Sequence, residues 1–518
     1  MVAAGMLKAP GIDSPMPEHC LIVGKMRTRI SPVDGRTYAI GFEMRLPVRW
    51  NGRFFYQANG GIDGAVVTAY GIDSGGAPTS NALARGFAVM SSDAGHPGAY
   101  GATFGWDPQA RLDYGYQAVG SLTPLAKRII VAAYGKGPER SYLGGCSNGG
   151  RHAMVAAARY ADQYDGIFAG DPGFHLPKAA VSQLYGVQQY ASIASPDADG
   201  RPNIATAFRP EEFALVARRI LARCDALDGA VDGIVSDAKA CQAHFDLGAD
   251  VPTCAGTRDG TCLTAAQKGV LGNIFAGPKN GKGDSLYARF WFDPGLTGED
   301  FRHWKFGNSL DLDPGAVAAI FTTPPSRHPP RPRFVKGAGP YEGLDYALAF
   351  SMDTDAPRIF ATDAVYAESP WSFMTPPDET RLDTLRGRGA KLLVYHGAAD
   401  PVFSPADTAA WYEALARAHG GDARDFARLF VVPGMNHCRG GPATDQFDML
   451  GALVDWVENG HAPERVIATA RGTGANVVNS EVPATWSPGR TRPLCAYPAS
   501  AQYKGQGDIE DARSFECK

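Results

Sequence analysis

No run of the roughly 18 apolar residues that a membrane-crossing helix requires occurs in this 518-residue sequence, so none of it is expected to span a membrane. Positive charge is not in excess either. The 50 lysines and arginines meet 54 aspartates and glutamates, a net −4, whereas nucleic-acid binding needs a concentrated basic face. C-x-x-C pairs and Cys/His clusters at zinc-like spacing are missing, which argues against a metal-thiolate centre. Internal repeats and low-complexity tracts are absent too. The first twenty residues, MVAAGMLKAPGIDSPMPEHC, show no basic segment followed by an apolar core, so no secretory signal is visible there.

What remains describes an ordinary globular chain, 44% hydrophobic and 20% charged. Its length exceeds what one core usually supports, which predicts a main domain with a large insertion or a second domain. Nine cysteines are present, and three couples lie close along the chain: Cys224 with Cys241, Cys254 with Cys262, and Cys495 with Cys517. That pattern fits disulfides formed in an oxidising compartment, so a secreted or periplasmic protein is expected despite the missing signal. The alternative is scattered buried thiols in a cytosolic enzyme. Cys20, Cys146 and Cys438 are left over.

Both ends of the chain read as α/β. Apolar strands are expected near 54–57, 87–91 and 166–169, with a helix of apolar periodicity over about 116–134. The stretch RSYLGGCSNGGRHAMVAAARYADQYDGIFAGDP reads as strand, turn, helix and strand. Helices between short apolar strands imply a mostly parallel sheet with helices on both faces. From about 176 to 378 the alternation disappears into Gly-, Pro-, Asp- and aromatic-rich sequence. It returns with KLLVYHG and RLFVVPGM, then a helix near 445–458 and a last strand near 465–469. The division expected is a sheet domain in two parts, 1–175 and 379–518, interrupted by a lid over 176–378 large enough to form a domain.

Candidate chemistry sits where strands end. Gly145-Cys146-Ser147-Asn148-Gly149 satisfies G-x-S-x-G between a strand and a helix, the strained turn that presents a nucleophile. The pentapeptide alone is weak, and a glycine-rich helix start is the plain alternative. Serine needs a base, and a histidine held by a carboxylate provides one. In the chain order Ser, Asp, His, Asp400 follows one strand and His437 the next, both on loops at strand carboxyl ends. Asp407 competes with Asp400 but sits further into the next helix. His96 precedes the serine, and His396 lies too close to its strand to reach it.

The positions of Cys146 and Cys438 then make sense. One directly precedes the serine and the other directly follows the histidine. If serine and histidine meet, the two thiols fall within disulfide reach, about 4.4–6.8 Å between α-carbons. A bridge there clamps the nucleophile turn to the histidine loop and gives the thiols a supporting role. A catalytic Cys146 is the rival reading, disfavoured with Ser147 at the elbow.

The motifs GGCSNGG, HGAADPVFS and GMNHCRGG together resemble the tannase and feruloyl esterase family of α/β-hydrolases, over most of the chain. The resemblance implies the α/β-hydrolase fold and a disulfide joining the neighbours of the catalytic serine and histidine. It also implies a lid over a pocket for galloyl, feruloyl or related hydroxycinnamoyl esters. A mono(2-hydroxyethyl) terephthalate hydrolase belongs to the family, so that substrate is a second candidate. Many members carry a further cysteine in the first glycine-rich loop. YQANGGIDGAVV has none, which leaves Cys20 unpaired.

An acyl transfer needs two N–H donors for the oxyanion, one from the residue after the nucleophile, Asn148. The second is expected from Gly60 or Gly61, with the family's glycine run favouring Gly61. In CDALDGAVDGIVSDAKAC, closely spaced carboxylates repel unless a hard cation gathers them. The stretch is similar to the family's structural calcium site, which implies Ca2+ on Asp225, Asp228 and Asp232 with the carbonyls of Ala230 and Ile234. No organic cofactor is expected. Trp291, Trp304, Phe306, Tyr346, Trp371 and Phe373 are candidate ring contacts, and Arg302, Arg327 and Arg358 candidate carboxylate contacts, with nothing to choose among them. The expected partner is a small aromatic ester. A non-catalytic binding module on the same scaffold is the remote alternative.

Overall fold

The strand KLLVYHG, Lys391–Gly397, is buried at every position after its first, as a parallel strand covered on both faces must be. It lies within the eight-stranded sheet that organises the computed structural model, which describes residues 1–12, 14–71 and 75–518. The strands are β1 (His19–Ile30), β2 (Thr37–Pro47), β3 (Arg53–Gln57), β4 (Ala88–Ser92), β5 (Arg140–Cys146), β6 (Gly166–Gly170), β7 (Lys391–Gly397) and β8 (Ala427–Val432). They run in the order β1-β2-β4-β3-β5-β6-β7-β8. From β4 to β8 every pairing is parallel. The sheet is therefore mostly parallel and the chain α/β.

Adjacent residues along each central strand enter different cores. Phe54, Leu143, Ile167, Leu392 and Val394 join one hydrophobic cluster, while Phe55, Tyr142, Phe168, Leu393 and Tyr395 join the other. The first cluster takes Leu122 and Ile130 of helix α1 (Ala118–Tyr134) and Met154 of α2 (Asn148–Arg159). The second takes Leu450, Leu453 and Trp456 of the helix Met449–Asn459. Helices thus cover both faces, as the period-2 strand geometry requires.

Two parts of the sheet escaped the sequence reading. β1 and β2 pair antiparallel with each other, and β2 pairs antiparallel with β4. β1 alternates between half-buried and exposed positions, with Lys25 and Arg27 outward, so no continuous apolar run marks it. The strand expected near 465–469 does form, Arg465–Thr469, but it pairs with Thr491–Cys495 in a separate two-stranded ribbon.

Between β6 and β7 the chain adds no strand to the sheet. This inserted segment opens with α3 (Leu176–Ala191) and includes helices Pro210–Cys224 and Ala265–Ala276. Leu184, Phe213, Ile274 and Val317 share one hydrophobic cluster with Ile167 and Leu392, so the segment extends the sheet's own core. No helix among the described residues is long and apolar enough to cross a membrane.

His175 ties the exit of the insertion to its return. Its Nδ1 lies 2.8 Å from Asp407 Oδ2 and its Nε2 2.9 Å from Glu379 Oε2. Burial alone lowers this imidazole, but Asp407 and then Glu379 outweigh it and raise it to about 9. A folded-state value above the unfolded one near 6.5 stabilises fully below that value, and the gain is lost as pH rises through about 9. His175→Gln is accordingly expected to lower the unfolding midpoint at pH 6, with the gap to wild type closing toward pH 10. Thermal unfolding followed by circular dichroism across that range measures it, and a pH-independent gap contradicts it.

Candidate active site

β5, β6, β7 and β8 all run parallel, so their carboxyl ends share one edge of the sheet. Ser147 follows β5, Asp171 follows β6, Asp400 lies just beyond β7, and His437 lies just beyond β8. The turn at Ser147 is sharp: φ is +65°, and helix α2 begins at the next residue. Its glycines are sterically required. A Cβ on Gly145 meets Ala58 O at 2.2 Å, and one on Gly149 meets the same oxygen at 2.3 Å.

The three residues expected to act together do meet. His437 Nε2 lies 2.8 Å from Ser147 Oγ, and His437 Nδ1 lies 2.8 Å from Asp400 Oδ2. Asp400 Oδ1 accepts from the N–H groups of Val402 at 2.7 Å and Phe403 at 3.1 Å, which fixes the carboxylate. Edge-to-face contacts from Trp304 and Phe403, with centroids 5.2 and 5.3 Å away, hold the imidazole plane. The Asp400 carboxyl is held well below its usual range: burial alone raises it, and the His437 and His396 imidazoles outweigh that. His437 is raised to about 9, burial opposing and Asp400, Asp171 and Asp300 prevailing.

All four expected disulfides form. Cys146 and Cys438 bridge with α-carbons 6.1 Å apart across 292 positions of sequence, next to the serine and the histidine. Cys438 also has positive φ, +67°. Cys20, in β1, is the free thiol.

Asn148 directly follows the serine, and Gly61 lines the same cavity as the serine. Among the described residues the backbone N–H groups of Asn148, Gly60 and Gly61 have no acceptor. A buried network pins Asn148: its Nδ2 donates to Asp63 Oδ2 at 2.7 Å, and its Oδ1 accepts from Arg151 Nε at 2.7 Å. The loop carrying Gly61 is thereby tied to the start of α2.

Of the competing residues, Asp407 is engaged by His175. His96 is buried against Phe104, ring centroids 3.5 Å apart, and makes no hydrogen bond to the serine. His396 lies under Asp400, its Nε2 3.3 Å from Asp400 Oδ2, and does not reach the hydroxyl. The sequence reading missed Asp171 and Asp300. Asp171 Oδ1 accepts from Gly397 N–H at 2.8 Å, and Asp300 Oδ2 accepts from His437 N–H at 3.3 Å. Asp171 follows the strand GIFAG as Asp400 follows KLLVYHG, a positional signal that was available. Asp300 had none, since the insertion lacks periodicity.

Ser147 opens into a cavity of about 530 Å³ walled by residues that include Gly61, Ile62, Tyr100, Asp300, Trp304 and Arg439. Of the six candidate aromatics, Trp304 alone lines it. Trp371 stacks on His175, and Phe306 packs on Tyr190. Arg302, Arg327 and Arg358 do not line it, and the guanidinium that does, Arg439, follows Cys438.

Asp225, Asp228 and Asp232 lie in a loop beside the Cys224–Cys241 disulfide. Burial raises the Asp225 carboxyl and pushes Asp228 up to about 6, and Asp228 Oδ2 has no partner. Asp232 pairs with Arg492. Three buried carboxylates, only one of them paired with a guanidinium, offer the hard oxygen donors that a hard dication takes. The three side chains do not by themselves bring one oxygen each within 4.8 Å of one another, so a cation there needs the loop carbonyls as well.

Residues 20–518 match the family profile described as tannase and feruloyl esterase. The chain is 39% identical over 553 residues to the mono(2-hydroxyethyl) terephthalate hydrolase of Piscinibacter sakaiensis, covering 100% of this chain and 88% of that protein. It is 28% identical over 513 residues to a probable feruloyl esterase B-2 of Aspergillus fumigatus, covering 95% and 86%. The crystal structure of feruloyl esterase B from Aspergillus oryzae superposes with a TM-score of 0.74 at 24% identity, over 100% of this chain and 95% of that one, and shares the fold.

The clamp at the serine has a measurable weight. Replacing Cys146 and Cys438 together by alanine is expected to lower stability by roughly 3 to 5 kcal/mol, the chain-entropy value for so long a loop less native strain. Denaturant unfolding of the double variant checks it, and wild type in reductant is expected to shift in the same direction. Unchanged midpoints contradict the clamp.

Proposed function

Since this chain belongs to the tannase and feruloyl esterase family and is a carboxylic ester hydrolase, we propose that it cleaves esters of aromatic acids, feruloyl, hydroxycinnamoyl or galloyl, through an acyl-enzyme on Ser147. The observation that carries the reading is the unbroken chain Ser147–His437–Asp400 opening into a cavity beside Trp304. His437 takes the hydroxyl proton as Ser147 Oγ attacks the ester carbonyl. Asp400 fixes the tautomer and stabilises the imidazolium. The N–H groups of Asn148 and Gly61, free of other acceptors, donate to the oxyanion. His437 then protonates the departing alcohol, and water attacks the acyl-enzyme by the same route in reverse. The fold is read as an α/β-hydrolase with the inserted segment as its lid, and the disulfides support a secreted or periplasmic protein.

A second reading, hydrolysis of a terephthalate monoester, is favoured by the 39% identical relative and by Arg439, a guanidinium at the cavity suited to a free carboxylate. We assign a structural Ca2+ to Asp225, Asp228 and Asp232 with the carbonyls of Ala230 and Ile234. Bound there, the ion would balance the charge of those carboxylates and hold the loop, outside the ester chemistry.

Turnover of methyl ferulate, methyl gallate, chlorogenic acid and mono(2-hydroxyethyl) terephthalate, compared by kcat/KM, tests the substrate class. A feruloyl or galloyl ester is expected to lead. A lead for the terephthalate ester selects the second reading, and turnover of none ends both. Ser147→Ala and His437→Ala are expected to lose activity by about 10⁴-fold or more. Because protonated His437 cannot act as base, activity is expected to fall with falling pH along a limb above pH 6.5, the ordinary imidazole value. Chelation by EGTA is expected to lower the melting temperature, with Ca2+ restoring it. An unmoved melting curve removes the calcium assignment.

A further inference from the structure

One stretch of the inserted segment, the helical turns Glu299–His303 and Trp304–Asn308, reaches the serine site three times. Asp300 Oδ2 accepts from the His437 backbone N–H, and Trp304 meets the His437 ring edge-on. The third contact is through Lys305, which is 4% exposed. It lines a small internal cavity together with Asp400, Asp293, Phe290 and Phe301. Its Nζ donates to Gln183 Oε1 at 3.3 Å and lies 4.6 Å from the Phe290 ring centroid. Among the described residues it makes no direct salt bridge.

An ammonium buried this way is costly unless nearby charge compensates it. The surrounding charges supply a reason for it. Asp171 from the end of β6, Asp300 from the insertion and Asp400 all face His437, and His396 of β7 lies beneath Asp400. Asp293 shares the small cavity, and Asp313 is the other carboxylate acting on Lys305. The three carboxylates favour the imidazolium, yet His437 has to be neutral to accept the Ser147 proton. An ammonium beside Asp400 offsets part of that negative charge.

We propose that Lys305 is a positioning residue of the catalytic site: its buried ammonium, brought in by the inserted segment, offsets part of the carboxylate charge beside His437 and so lowers the pH at which the imidazole sheds its proton and becomes a base. Burial pulls Lys305 down to about 8, with Asp400 and Asp313 opposing, so the ammonium persists across the neutral range. The proposal rests on the serine mechanism above.

The test is the pH profile of kcat/KM for Lys305→Met and Lys305→Gln on a p-nitrophenyl ester from pH 5 to 10, with melting curves to establish folding. The acid limb is expected to move up by about half a pH unit or more, a loss of roughly threefold or more on the acid side, with KM and the alkaline plateau nearly unchanged. An unmoved limb in folded variants overturns the proposal, as does a loss equal at every pH, which marks a structural role. Should neither variant fold, Lys305→Arg decides: a wild-type limb supports the role of charge, and a shifted limb overturns it. Ser147→Ala run in parallel separates the two failures. Residual activity there undoes the serine mechanism, whereas an inactive Ser147→Ala beside an unmoved limb removes only the role of Lys305.

Discussion

A single sulfur–sulfur bond holds together two loops separated by 292 positions of sequence, one residue before Ser147 and one residue after His437. The backbone is strained beside one end of that bond and at the other. Ser147, next to Cys146, has φ +65° and Cys438 φ +67°, conformations that non-glycine residues adopt only where the surroundings enforce them. The parallel register of β5 through β8 brings the loops to one edge, and the bond then removes their remaining freedom. That second constraint favours the 2.8 Å contact between imidazole and hydroxyl, because loops are the most mobile parts of a sheet protein.

The inserted segment is more than a cover over this edge. Its side chains continue the sheet's hydrophobic core, so it is packed in place and not merely tethered. That rigidity lets it contribute groups to the site. Asp300 holds the His437 backbone, and Trp304 faces both the imidazole and the cavity. The electrostatics follow from the crowding. Asp171, Asp300 and Asp400 surround one histidine, and the basicity they confer is useful only if the imidazole can still shed its proton.

Legibility in the sequence tracked how local each signal was. The glycines at 145 and 149 flank the serine within five residues, so the nucleophile turn was readable, although the atom that demands them, Ala58 O, comes from the end of the neighbouring strand. Asp400 and His437 were readable because each follows an unbroken apolar strand. The outer strand β1 was not, because its outward face is solvated and interrupts the apolar pattern with Lys25 and Arg27. Among six aromatics and three arginines in the insertion, nothing local distinguished Trp304, and the guanidinium at the cavity, Arg439, lay outside that set altogether.

The amino-acid order alone pointed to the mostly parallel sheet, to the serine, carboxylate and histidine, and to three of the four cysteine pairs. These depend on periodicity, on strand-end position and on proximity along the chain, whereas the Cys146–Cys438 pair was legible only through its adjacency to the serine and histidine. Tertiary structure decided which side chains of the insertion face the serine, how Asp63 and Arg151 lock Asn148, and that Lys305 lies buried near Asp400. Those contacts join segments with no shared period and no fixed spacing, so they exist only once the chain has folded around one edge of the sheet.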